Sequence, residues 1–297
     1  MSTLQAETQE LSVENSSLWS DAFDRLRRNP SAIIGFVLIL VFVVAAVFAP
    51  VISPHDPQEQ VTGLSQSGES PSSENFFGTD KQGRDYFSRV VFGARLSLIV
   101  GLVAVAVGLS LGLLLGAIAG YFGGWSSGLI MRLMDVMLSI PPFLLAIGLV
   151  TLLGRGLFQI MIAVGLTTVP LFARLLRGSI LAQREADYVL AARSLGAPGR
   201  RLLLRHILPN SISPVIVQAT LAMATAIIDV AALSFVGLGP ADPALPEWGK
   251  MLADNASRLD QGLHLVLFPG LAIVISVLGL NMIGDGLREA IDPKLKG

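Results

Sequence analysis

Six stretches of about twenty apolar residues occupy most of this sequence. They run roughly from Ser31 to Val51, Leu96 to Gly120, Met131 to Leu153, Phe158 to Gly178, Ile212 to Phe235 and His264 to Asp285. A helix of about 20 residues crosses a hydrocarbon core roughly 30 Å thick. Lipid offers nothing to a backbone N–H or C=O, so a chain with six such runs folds as an all-α membrane protein of six transmembrane helices. The third, fourth and sixth runs carry Pro141-Pro142, Pro170 and Pro269 and are expected to be interrupted there. Only 14% of the 297 residues are charged, against about 25% in soluble domains, which excludes an ordinary soluble enzyme. The absence of cysteine excludes disulfides, thiolate metal sites and cysteine nucleophiles. The polar, acidic first 30 residues lack the apolar segment of a cleavable signal peptide.

Lys and Arg collect on the cytoplasmic side of a multi-pass protein. With the amino terminus inside, fourteen of the 21 Lys and Arg fall on inside segments and seven outside. Both termini are therefore expected in the cytoplasm. Four regions follow: a cytoplasmic segment over 1–30, the first helix and an external loop over 31–95, a five-helix core over 96–285, and a cytoplasmic tail over 286–297. In the first region Trp19, Phe23 and Leu26 beside Arg25, Arg27 and Arg28 suit a short helix lying in the headgroup plane.

The inside loop over 179–211 carries the most information. Good helix formers run from Asp187 to Leu195, Gly196 sits where a helix ends in the left-handed conformation, and Pro198 suits the first turn of a second helix. Ala191 and Ala192 give the first helix a low-relief face that another backbone can approach. Five arginines against Glu185 and Asp187 leave the loop at about +3.

Ala191-Ala192, then Gly196, then Leu208-Pro209 resembles the "EAA" signature of the membrane subunits of bacterial ABC importers, with Leu190 in place of the Glu and His206 in place of the Ile. Similar stretches occur at Phe77–Asp85, Gly93–Leu98, Gly120–Gly124, Ile140–Pro142, Pro246–Gly249 and Gly284–Arg288. From about Leu18 onward the chain resembles the C-type permease of dipeptide and oligopeptide importers. The resemblance implies a type I ABC importer permease fold in the bacterial inner (plasma) membrane. It also implies a second, homologous permease, two cytoplasmic ATPases and a periplasmic or lipid-anchored peptide-binding protein as partners. ATP and Mg would bind the ATPases, with no cofactor on this chain, and related permeases carry nickel, haem or glutathione instead of peptides. The implied coupling residues are Asp187, Tyr188, Ala191, Ala192, Arg193, Ser194, Gly196 and Ala197. The chain has no G-x-x-x-x-G-K-[ST] phosphate loop, so it is not expected to be an enzyme, and energy must come from a partner.

Other features admit two readings each. Gly108, Gly112, Gly116 and Gly120 recur every fourth residue and suit a helix-packing seam, or a face lining the pathway. Asp229, an acid inside the fifth run, belongs on the pathway, against a partner or in a satisfied helix–helix contact. As a proton relay it would instead serve a secondary transporter. Pro141-Pro142 is a flexible, cavity-lining point or a static kink. Pro246, Glu247 and Trp248 form a docking point for the binding protein or an ordinary interfacial anchor. Asp135, with Arg132 three residues before it, suggests a local ion pair.

Overall fold

A computed structural model describes residues 18–63, 68–258 and 262–291. Residues 292–297 of the expected tail lie outside them. Ten helices build the bundle and its two ends. They are α1 (Leu18–Arg28), α2 (Pro30–Val47), α3 (Tyr86–Phe122), α4 (Gly124–Ser139), α5 (Pro142–Leu153), α6 (Leu157–Arg184), α7 (Asp187–Ser194), α8 (Ser213–Leu233), α9 (Trp248–Asn255) and α10 (His264–Ile291). Among the described residues five helices are long and apolar enough to cross a membrane, and the bent α4–α5 pair brings the number to six if it counts as one broken span.

The third run is interrupted at Pro141-Pro142, as expected. α4 and α5 meet at 94°. Two consecutive prolines remove two N–H donors and push the residues before them out of the helical region, as Ile140 (ψ 130°) and Pro141 (ψ 130°) show. Pro170 and Pro269, by contrast, leave α6 and α10 continuous. Pro269 cannot donate to the carbonyl four residues back, that of Leu265. The buried Tyr86 hydroxyl donates to that carbonyl instead.

α3 is longer than its apolar run. Asp85 caps it, its carboxylate accepting from the Ser88 N–H at 2.8 Å, so the helix begins ten residues inside the expected external loop. At 37 residues it extends about 55 Å and joins the two ends of the molecule. α6 packs along it. A Cβ added to Gly108 would lie 1.8 Å from Thr168 Oγ1, one on Gly112 2.5 Å from Phe172 Cβ, and one on Gly116 2.7 Å from the Ala173 carbonyl. Gly120 meets Ile180 in the same way. The four glycines therefore face α6, and Val100, Ala104, Ile160, Val164, Phe172 and Leu176 form the core around the seam. At the periphery α2 lies against α10, with Gly35 against the Gly279 carbonyl. α1 joins them: Asn29 caps α2 through its Oδ1 and donates to Glu289 Oε2 at 2.6 Å. Phe23 is exposed, with the Arg27 guanidinium 4.2 Å over its ring. α10 continues through Ile291, into the stretch expected as a tail.

Candidate functional site

Each end of α3 meets a different polar structure. At the Tyr86 end Asp80 is the hub. Its Oδ1 accepts from the N–H groups of Gln82 and Arg84, and its Oδ2 pairs with Arg84 at 2.7 Å and Arg89 at 3.4 Å. Arg84 donates onward to the Pro243 carbonyl at 3.2 Å, and Arg89 to the Pro57 carbonyl at 2.9 Å. Buried charges persist only when paired and hydrogen-bonded, and here they stitch three separate segments into one collar.

Pro246, Glu247 and Trp248 belong to this collar, which corrects their expected docking role. All three are buried, Trp248 with 0% of its surface exposed. The Trp248 indole donates to the Val90 carbonyl at 3.0 Å, lies edge-on to Phe42 and fills the space left open at Gly93. Glu247 caps α9, Oε1 accepting from the Gly249 N–H and Oε2 from the Lys250 N–H, both at 2.8 Å. Burial pushes its carboxyl above the ordinary glutamate range, and those backbone donors pull the other way.

At the opposite end stands a knob built from α7 and its return. α6 ends at Arg184, whose guanidinium donates to the Gly120 and Tyr121 carbonyls at 3.1 Å and so caps α3. α7 follows, beginning at Asp187. It ends in a Schellman motif: the Ala197 N–H donates to the Ala192 carbonyl at 3.1 Å and the Gly196 N–H to the Arg193 carbonyl at 3.0 Å. Gly196 takes φ +81°, which the motif requires and a side chain resists. Pro198 then caps the return instead of opening it, and the chain passes through Gly199–Arg201, a π-helical stretch over Leu202–Ile207 and Leu208–Ser211 into α8.

Several contacts fix this knob to the bundle. Val189 is fully buried, and Ala192 and Ala197 pack against the same core. Tyr188 donates to Gln183 Oε1 and accepts from Asn210 Nδ2 at 3.2 Å, while Asn210 also donates to the His206 carbonyl at 2.7 Å. Tyr121 lies directly over Gly199, where a Cβ would come 2.3 Å from its hydroxyl. The expected low-relief pair therefore splits: Ala192 faces the chain's own core, and Ala191 stays on the open face with Asp187, Leu190, Arg193, Ser194 and Gly196. Leu195 is 89% exposed at the tip. The sequence pattern marked Leu190 only as a departure from the EAA signature and left Leu195 out of the coupling residues. An apolar residue directly before a capping glycine is the signal that marks Leu195.

The remaining candidates lie within the spans. Pro141 and Pro142 are exposed at the elbow between α4 and α5. Asp229 is half-buried on α8, and no salt bridge among the described residues reaches it. Asp135 does not pair with Arg132. It pairs across helices with Arg174 of α6, and Arg177 donates to Ser127 at 2.9 Å nearer the knob. Among the described residues no group of three His, Asp or Glu could hold a metal ion.

This helical bundle, with a buried polar collar at one end and an anchored, open-faced knob at the other, is a multi-pass inner-membrane permease of the ABC importer class by its family match. Residues 112–297 match the binding-protein-dependent transport system inner membrane component, and residues 17–68 match the N-terminal TM domain of oligopeptide transport permease C. The chain belongs to this permease family, on its C-type dipeptide/oligopeptide branch. It is 48% identical to the dipeptide transport system permease protein DppC of Alkalihalophilus pseudofirmus, over 94% of this chain and 91% of that protein. It is 44% identical to the di/tripeptide transport system permease protein DppC of Pseudomonas aeruginosa (90% and 89%) and 45% identical to the glutathione transport system permease protein GsiD of Shigella flexneri (94% and 91%). An inward-facing structure of the MetNI methionine ABC transporter shares the fold, with a TM-score of 0.56 and 19% identity over 69% of this chain and 96% of that one.

Proposed function

We propose that this permease forms half of the translocation pathway of an ATP-driven importer of short peptides, and that the knob receives the motion of a cytoplasmic ATPase. The peptide assignment draws on the two relatives named for dipeptides and for di- and tripeptides. Glutathione, named for a third relative, is itself a tripeptide and fits the same pathway. The knob end is the cytoplasmic end in this reading, which the excess of Lys and Arg on that side supports. The partners are a second, homologous permease, two ATPases that bind ATP and Mg, and an external peptide-binding protein. This chain hydrolyses nothing.

One observation carries the coupling role. The knob is stiff inward and bare outward: a Schellman-capped helix fixed by Val189, Tyr188 and Arg184 presents Leu190, Ala191 and Leu195 with no covering of its own. Because Arg184 bonds to the end of α3 while α8 continues from the return, a push on the knob moves α3, α6 and α8 together. The test exploits the absence of cysteine. Leu195→Cys in the purified complex should cross-link to a single cysteine placed in the ATPase surface cleft, with a yield that changes when ATP is bound. Failure to cross-link any ATPase position, with transport intact, would remove the knob from the coupling path.

A further inference from the structure

The Asp135–Arg174 pair stands in an unusual place for charge. Their side chains are 59% and 48% exposed in this chain. Arg174 lies ten residues before the knob end of α6, about 15 Å along the helix, and Asp135 sits at a similar height on α4. The same level of α3 is still apolar, with Gly116 against Ala173 next to Arg174. Charges open to hydrocarbon at this depth are strongly disfavoured, so this wall must face protein or water. One turn further on comes the elbow. There Pro142 leaves the Leu138 carbonyl without its helical donor, and Ile140, Pro141 and Pro142 are all exposed. Non-helical backbone within a membrane is tolerated only against protein or beside a water-filled cavity. Two independent features thus place this α4–α6 wall away from lipid.

The pair also has spare capacity. It joins one guanidinium nitrogen to one carboxylate oxygen. Arg174 keeps further N–H donors, and Asp135 keeps a second oxygen. A free peptide carries a carboxylate at one end and an ammonium at the other. A dipeptide places them roughly 7 Å apart, within reach of two side chains that have swung away from each other. We propose that Asp135 and Arg174 form a peptide-terminus subsite on the pathway wall. They pair with each other when the pathway is empty and separate to take a peptide's ammonium and carboxylate. Guanidinium suits the carboxylate because its parallel N–H groups match the two oxygens. This assignment rests on the peptide-importer reading above.

The experiment uses the whole complex in proteoliposomes. Val136→Cys, beside the pair and exposed, should react with a hydrophilic thiol reagent, and a dipeptide should slow that reaction. Arg174→Gln should raise KM for a free dipeptide by about tenfold or more, and leave KM for the same dipeptide amidated at its carboxyl end close to wild type. Asp135→Asn should do the same, with the N-acetylated peptide as the insensitive substrate. An unreactive Val136→Cys would overturn the water-facing wall. Equal losses for free and blocked peptides, or full recovery with normal selectivity in Asp135→Arg/Arg174→Asp, would make the pair a strut and end the subsite assignment. A wild-type complex that takes up no peptide would sink the importer reading itself, a result distinct from wild-type uptake without this charge selectivity.

Discussion

Glu247 and Tyr86 show how single polar groups hold this apolar chain in register. Tyr86 supplies the donor that Pro269 lacks, and α10 continues through the proline. Glu247 supplies two oxygens to the start of α9 and is buried in doing so. Burial raises its carboxyl from the ordinary 4.5, so the folded protein holds this proton to higher pH than the unfolded chain does. Its contribution to stability is then full below the unfolded value and falls as pH rises through the raised one. Glu247→Gln keeps an acceptor and cannot titrate. Thermal unfolding across about pH 4 to 8 should show wild type losing stability relative to the Gln variant as pH rises from about 4.5. Glu247→Ala, which loses the cap altogether, should cost about 0.5–2 kcal/mol beyond Gln. A wild-type curve that gains on Gln with rising pH would mean that the cap donors outweigh burial.

At the scale of elements, how much the sequence discloses depends on where the stabilising partner lies. The glycine period along α3 and the αL glycine after α7 are local patterns, and both sit where helix geometry put them. The Gly108–Gly120 face makes the sharper test. Gly112→Val pushes a branched side chain into Phe172 and the Val169 carbonyl, and overpacking of this kind costs about 1–3 kcal/mol. Gly148→Val, on α5 with nothing nearby, should leave the melting temperature in detergent unchanged, whereas Gly112→Val should lower it. The elements misread from sequence all depended on distant groups. Pro269 resembled a break because its remedy, Tyr86, is far away in the chain. Asp135 looked paired within α4 because Arg174 lies on another helix. Pro246, Glu247 and Trp248 read as surface because nothing local reveals that Val90, Gly93 and Phe42 close over them. The start of α3 was placed ten residues late because polar Arg89 and Arg95 hid a helix that the Asp85 cap and the collar stabilise.

Over the whole molecule, the collar and the knob stand at opposite ends of α3, about 55 Å apart along the helix, and the proposed coupling depends on which end faces the cytoplasm. The two ends carry opposite electrostatic signatures. The collar neutralises its arginines internally, Asp80 holding both Arg84 and Arg89, whereas the knob leaves Arg193, Arg200, Arg201 and Arg205 open. Unpaired basic residues are retained on the cytoplasmic side during insertion, so the knob should be inside and the collar outside. A cysteine-free chain makes this directly measurable. Ser73→Cys, on the exposed surface of the collar segment, should react with a membrane-impermeant thiol reagent added to intact spheroplasts. Leu195→Cys should react only after the membrane is opened. The reverse pattern would place the knob where no ATPase can reach it and would leave the stiff, bare α7 without a source of motion.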